Sequence, residues 1–256
     1  MDIFAIIGTF LGIGFILTGQ AMEGGNLGQL LQITAAFIVL GGTTGAIVLS
    51  FPSKTLALAF KYLKDVYMPP KVDFKALITE IGGYATKARK EGIIALEKEA
   101  NNASDPLMTL GLGAVADGTD PTLVREMMEN QISQLEQEVH NAAKVYESFG
   151  GYSPTLGIIG AVMGLIQVMQ NLSDPSKLGA GIAVAFVATI YGLFAANLVM
   201  IPLGTRIKFI YQDVFLYKNM IVEGVLSIQA GESPVLIERK LESFILDNSK
   251  GAENNG

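Results

Sequence analysis

The sequence has 256 residues, 50% of them hydrophobic and 16% charged, with a formal net charge of −6 and no cysteine. The lack of cysteine excludes disulfides, thiolate metal sites and thiol catalysis. A net negative charge is also the wrong sign for a nucleic-acid partner. The charge is unevenly placed: Ile3–Met22, Gly24–Ser53, Ser148–Ser173 and Leu178–Thr205 hold no Asp, Glu, Lys, Arg or His. Each stretch is long enough to cross a hydrocarbon layer of ~30 Å as a helix of about 20 residues.

In chain order, these stretches predict a first transmembrane hairpin at 1–52, a cytoplasmic helical domain at 53–147 and a second transmembrane hairpin at 148–205. Cytoplasmic helices at 206–247 and a disordered tail at 248–256 complete the chain. The fold class is therefore an all-α membrane protein, with four transmembrane helices in two hairpins. The first stretch has no basic n-region and no small-residue cleavage site, so it is expected to be a span and not a signal peptide. The loops Gln20–Leu27 and Asn171–Leu178 hold one basic residue, Lys177, of the 18 in the chain. The positive-inside rule then puts both termini in the cytoplasm.

Within the spans, small residues recur at helical spacing: Gly8 and Gly12, Gly41 and Gly45, then Gly157, Gly160 and Gly164. Lipid tails give helices no hydrophobic reason to associate, so close approach through small residues is a main route to packing, here expected in self-assembly or against a partner. The polar groups in the spans are hydroxyls and amides: Thr9, Thr18, Gln32, Thr34, Thr43, Thr44, Thr189, Tyr191 and Asn197. A protein that moves ions through a membrane needs a group there to bind or relay them. If this chain helps to conduct an ion, the carboxylate comes from another chain. Pro154 and Pro202 sit near the cytoplasmic ends of the third and fourth spans, where a proline serves either as helix-end punctuation or as a hinge.

Between the hairpins, residues 72–100 carry an amphipathic pattern: Phe74, Leu77, Ile78, Ile81, Ala85, Ala88, Ala95 and Leu96. Gly82-Gly83 and Gly92 are its candidate breaks. Gly111–Pro121 reads as a Gly/Asp-rich connector. Residues 120–149 then predict one long helix, with Asp120 as N-cap, Pro121 in the first position and an apolar face from Val124 to Tyr146. The pattern runs straight into the third span. In the tail, the turn Gln229–Pro234 precedes a short amphipathic helix at Ile237–Ile245. His140, the one histidine, lies on the polar flank of the long helix with no second ligand in register, and is expected to be a surface residue. No nucleophile–base pair, phosphate loop or metal constellation is visible, so neither an enzyme nor a cofactor is expected.

Three runs carry a resemblance: Ala88-Arg-Lys-Glu-Gly-Ile-Ile-Ala-Leu-Glu97, Ser153-Pro-Thr-Leu-Gly-Ile-Ile-Gly-Ala-Val-Met-Gly-Leu165 and Ile221-Val-Glu-Gly-Val-Leu-Ser-Ile-Gln-Ala-Gly-Glu-Ser-Pro234. In this order they resemble the MotA/PomA branch of the MotA/TolQ/ExbB proton-channel family, over nearly the whole chain. The resemblance implies an ion-conducting stator subunit of the bacterial flagellar motor, in the cytoplasmic (inner) membrane. It implies a homo-oligomeric ring, a pentamer, around a MotB-like single-span partner that supplies the membrane aspartate. It also implies that Arg89 and Glu97 contact the rotor protein FliG, and that Pro154 and Pro202 couple ion transit to cytoplasmic motion. On a continuous helix, that charged pair would stand about 12 Å apart at 1.5 Å per residue. Thr189 matches a threonine near the ion path. Ala161 stands where sodium-driven relatives carry a threonine, and losing that hydroxyl favours H+ over Na+. The alternative is a TolQ/ExbB-type subunit that harvests the proton-motive force for envelope transport or integrity.

Overall fold

In hydrocarbon every backbone amide has to be satisfied within its own segment, so charge-free stretches of this length fold as helices. The computed structural model describes residues 2–253 and, outside 175–177 and 246–253, their side chains. Among the described residues there are helices and turns but no strand. Four helical stretches are long and apolar enough to cross a membrane.

Helix α1, Ile3–Met22, is capped by Asp2, whose side chain accepts from the Ala5 N–H. The next span starts later than its composition suggests. A 3-10 turn at Leu27–Leu30 and an extended step at 31–32 come first, and α2 then runs over 33–50 through a π-helical turn at Phe37–Gly41. Helix α3, Ser53–Tyr67, follows directly. Helices α4 (Phe74–Glu91), α5 (Leu96–Ala100) and α6 (Pro106–Ala116) lie between the hairpins. Helix α7, Pro121–Gln170, is unbroken over 50 residues, with Pro154 inside it. Helix α8 runs over 175–229 with a π-helical turn at Ala195–Met200. Helix α9, Pro234–Glu253, closes the chain.

The chain forms two compact units, Met1–Pro69 with Glu138–Ile210, and Pro70–Gln137 with Tyr211–Gly256. They cut the chain at other points than the sequence segments do: α3, residues 138–147 and residues 206–210 group with the hairpins.

In the first unit, packing depends on close approach. A side chain on Gly160 would come within 2.6 Å of the Ala188 Cβ, and one on Gly164 within 2.7 Å of the Gly181 carbonyl oxygen. Helix α2 lies over this pair: Ala35, Val39, Val187 and Ala188 form one buried cluster. The glycines of the third span therefore pack within the chain, where the sequence pattern had pointed to self-assembly or a partner. Gly8, Gly41 and Gly45 have nothing within 4 Å of where a side chain would begin.

In the second unit the core is built by Leu77, Ile81, Leu96, Met108, Leu112, Val124, Met128, Met220, Ile221, Val225, Ile237 and Leu241. Burying each such side chain contributes ~1.5–3 kcal/mol. Two expectations change here. Gly82-Gly83 stays inside α4, because Gly82 lies against the Glu238 side chain of α9 and leaves room for that contact. Much of the expected connector at Gly111–Pro121 is helix α6, started by the Asp105 carboxylate accepting from the Leu107 N–H with Pro106 in the first turn. Gly111 is buried there under Met128 and Val225. The expected tail at 248–256 is helical through Glu253, and the rest of it lies outside the described residues. His140 is exposed.

Candidate functional site

The third and fourth spans meet along a ladder of small residues. Gly157 faces the backbone of Ala188 and Thr189, Gly160 faces Ala188, and Gly164 faces Gly181 and Ala185. Pro154 joins this ladder: a side chain on Gly192 would sit 2.5 Å from the Ser153 carbonyl oxygen and 3.1 Å from the Pro154 Cα. Ser153 is fully buried and its hydroxyl donates to the Phe149 carbonyl at 2.7 Å. Pro154 has no N–H to offer to its own preceding turn, and the glycine opposite lets the backbones close at that point. Thr189 stands in the same contact, half-buried, its hydroxyl donating to the Ala185 carbonyl at 3.2 Å. Ala161, also half-buried, follows Gly160. Ala161, Thr189 and Pro154 therefore share one helix pair.

Four threonine hydroxyls in the spans, those of Thr9, Thr18, Thr43 and Thr189, are committed to their own helices. Thr9 donates to Ala5, Thr18 to Gly14 and the buried Thr43 to Val39, at 2.6–2.8 Å. Tyr191 acts differently. Its hydroxyl donates to the Leu30 carbonyl at 2.6 Å and accepts the Gln32 N–H at 3.2 Å, which satisfies the extended step before α2. The sequence marked Tyr191 as polar but gave no sign of its partner.

Pro202 is exposed and has different neighbours from Pro154. It lines a cavity of about 650 Å³ with Phe4, Thr9, Tyr67, Asn197 and Arg206. Arg206, one turn further on, pairs with Asp2 and donates to the Val66 carbonyl. Asp2 also donates its N–H to the Tyr67 carbonyl at 2.9 Å. The Ala5 N–H, followed by Arg206, holds the Asp2 carboxyl below its usual range. This junction of α1, α3 and α8 left no signal in the sequence, because its members are far apart along the chain.

Arg89 and Glu97 are both exposed, and neither side chain makes an ion pair among the described residues. They do not share one continuous helix. Helix α4 ends at Glu91, Gly92 adopts φ 86° and ψ 162°, and Glu97 lies in the first turn of α5 after a 3-10 turn at Ile93–Ala95. That backbone region is essentially open to glycine alone. Lys87 and Glu99 close the bend with an ion pair at 2.6 Å. Through that hydrogen bond, Glu99 holds the Lys87 ammonium above its usual range.

Two family models match the chain: motility protein A N-terminal over residues 6–92, and the MotA/TolQ/ExbB proton channel family over residues 99–220. Motility protein A of Helicobacter pylori is 33% identical over 245 residues, covering 96% of this chain and 95% of that protein. Motility protein A of Treponema phagedenis is 34% identical over 251 residues, covering 98% and 96%.

The chain belongs to the motility protein A family.

A solved structure of C. jejuni MotAB superposes with a TM-score of 0.89 at 31% identity, covering 95% of this chain and 96% of that one. The flagellar MotAB stator complex of Bacillus subtilis gives 0.85 at 29%, covering 93% and 94%. The chain is a flagellar stator ion-channel subunit. The helix pair joined by these glycines holds no Asp, Glu, Lys, Arg or His between Ser153 and Gln170 or between Leu178 and Gly192.

Proposed function

We propose that this chain forms the homo-oligomeric ring, a pentamer, of a proton-driven flagellar stator in the bacterial inner membrane, with both termini in the cytoplasm. A MotB-like single-span partner stands inside the ring and supplies the aspartate that the spans lack. The observation that carries this reading is that lack: the four charge-free spans contain hydroxyls bonded to their own helices and no carboxylate. The aspartate takes up a proton on the outer side and releases it to the cytoplasm. An elementary charge crossing 100 mV releases roughly 2.3 kcal/mol, enough to drive repeated small steps.

Thr189 and Ala161 line the ion path. Sodium needs several oxygen ligands to replace its hydration shell, whereas a proton needs a carboxylate and water, and an alanine at 161 leaves one oxygen fewer. Pro154 and Pro202 pass the change of charge to the cytoplasmic helices. Arg89 and Glu97 meet charged groups on the rotor protein FliG, and their exposure suits steered, reversible contact. The reading implies no cofactor and no enzymatic step.

The test is swimming of a stator-deleted bacterium that expresses this chain with its own MotB-like partner. Swimming in sodium-free medium is the expected result. Recovery on adding sodium alone would overturn the choice of proton. Paralysis in both media, with the complex inserted in the membrane, would overturn the rotor reading.

A further inference from the structure

Helix α3 begins immediately after α2, with Phe51 and Pro52 between them, and its two faces differ in kind. The inner face is fixed to the rest of its unit. Ala59, Tyr62 and Val66 are buried. The Tyr146 hydroxyl donates to the Ala59 carbonyl at 2.9 Å, and the Tyr62 hydroxyl donates to the Glu138 carboxylate at 3.2 Å. Burial first, then Glu138, pushes the Tyr62 phenol up, so it stays a donor at any physiological pH.

The outer face carries Lys54, Ala57, Phe60, Lys61 and Lys64, all exposed. Lys54 and Lys64 make no ion pair among the described residues, and the Lys61 ammonium stands 5.2 Å from the Tyr62 ring centroid. In a chain of net charge −6, α3 carries three exposed lysines against one acidic residue, the half-buried Asp65, and so is locally of the opposite sign. Solvation alone accounts for the lysines but not for Phe60, which is 75% exposed among them. Lysines beside an exposed aromatic, on a helix that starts where a span ends, are the features of a helix lying in the membrane surface. There the long lysine stems run along the apolar boundary while their ammonium groups reach the phosphates.

We infer that α3 anchors the chain to the headgroups of anionic phospholipids in the leaflet at that end of α2, through Lys54, Lys61 and Lys64, with Phe60 entering the acyl boundary. This rests on the membrane placement of α1 and α2, and on neither the choice of ion nor the rotor contact. The anchor holds a point that matters to the coupling region. The Val66 carbonyl on α3 accepts from Arg206, one turn beyond Pro202, so a fixed α3 gives that part of α8 a stationary support.

The sequence has no tryptophan, so Phe60→Trp makes a single reporter at the critical position. The full chain carrying F60W is reconstituted in bilayers containing brominated phosphatidylglycerol or brominated phosphatidylcholine, and quenching is read across a salt series. Quenching by both lipids is expected, with phosphatidylglycerol preferred at low salt and the preference fading as salt rises. Replacing all three lysines by glutamine should remove the preference. Each basic residue near an anionic leaflet is worth about a fivefold change in local affinity. Equal quenching by both lipids at low salt would overturn the headgroup assignment. No quenching by either would overturn the anchor altogether, leaving α3 to solvent or to a second copy of the chain. None of these outcomes depends on ion flux or swimming, so failure here leaves the stator reading standing.

Discussion

Glycines in this chain fall into two groups that composition cannot separate. Gly192 lies against Ser153 and Pro154, and a side chain there would meet backbone atoms that have no rotamer by which to retreat. Gly41 has open space where its side chain would begin. Replacing Gly192 by valine should therefore cost about 1–3 kcal/mol, as overpacking does, and lower the thermal unfolding temperature in detergent. Gly41→Ala should leave that temperature within about a degree or two of the parent, since surface changes typically fall within ±0.5 kcal/mol. Equal losses at both positions would remove the case for a third-to-fourth-span ladder centred on Pro154.

Among the elements, the bend at Gly92 changes how the charged pair is presented. A continuous helix would carry Arg89 and Glu97 along one rod, whereas the bend puts them on separate helices joined by the Lys87–Glu99 ion pair. A half-exposed ion pair of this kind, screened by solvent, is worth about 1 kcal/mol. The glycine conformation and the burial of Leu96 and Ala100 set the bend more firmly. Gly92→Ala should cost ~1–3 kcal/mol of local stability. It should also reduce swimming speed while the chain still inserts in the membrane. Amide hydrogen exchange at 93–100 would rise if the bend loosens, and unchanged exchange with normal swimming would show that the bend plays no part in rotor contact.

For the whole molecule, the neutral spans have a direct consequence. Vesicles holding this chain alone should carry no proton current above background, because no group in the spans binds a proton. Vesicles holding the chain with its single-span partner should carry a current that vanishes when the partner's membrane aspartate becomes asparagine. Current through the chain alone would mean that its own hydroxyls and waters suffice. The assembly, like the current, would then have to be understood without a borrowed carboxylate.

Much of this was legible in the sequence, because it follows from local composition. Charge-free stretches of span length gave the membrane helices, Asp120 and Pro121 gave the start of α7, and the apolar period gave its buried face. The lack of any Asp, Glu, Lys, Arg or His in the spans was likewise visible from the start, and it is the main constraint on mechanism. What the sequence left open depends on partners distant in the chain. Helix α6 forms because Met128 and Val225 cover Gly111, α4 keeps Gly82-Gly83 because Glu238 lies against it, and Tyr191 settles the start of α2 through Leu30 and Gln32. The pairing of Arg206 with Asp2, the place of Gly192 against Pro154 and the two unlike faces of α3 are of the same kind. Periodicity fixes which face of a helix is apolar, but only tertiary contact decides what that face meets.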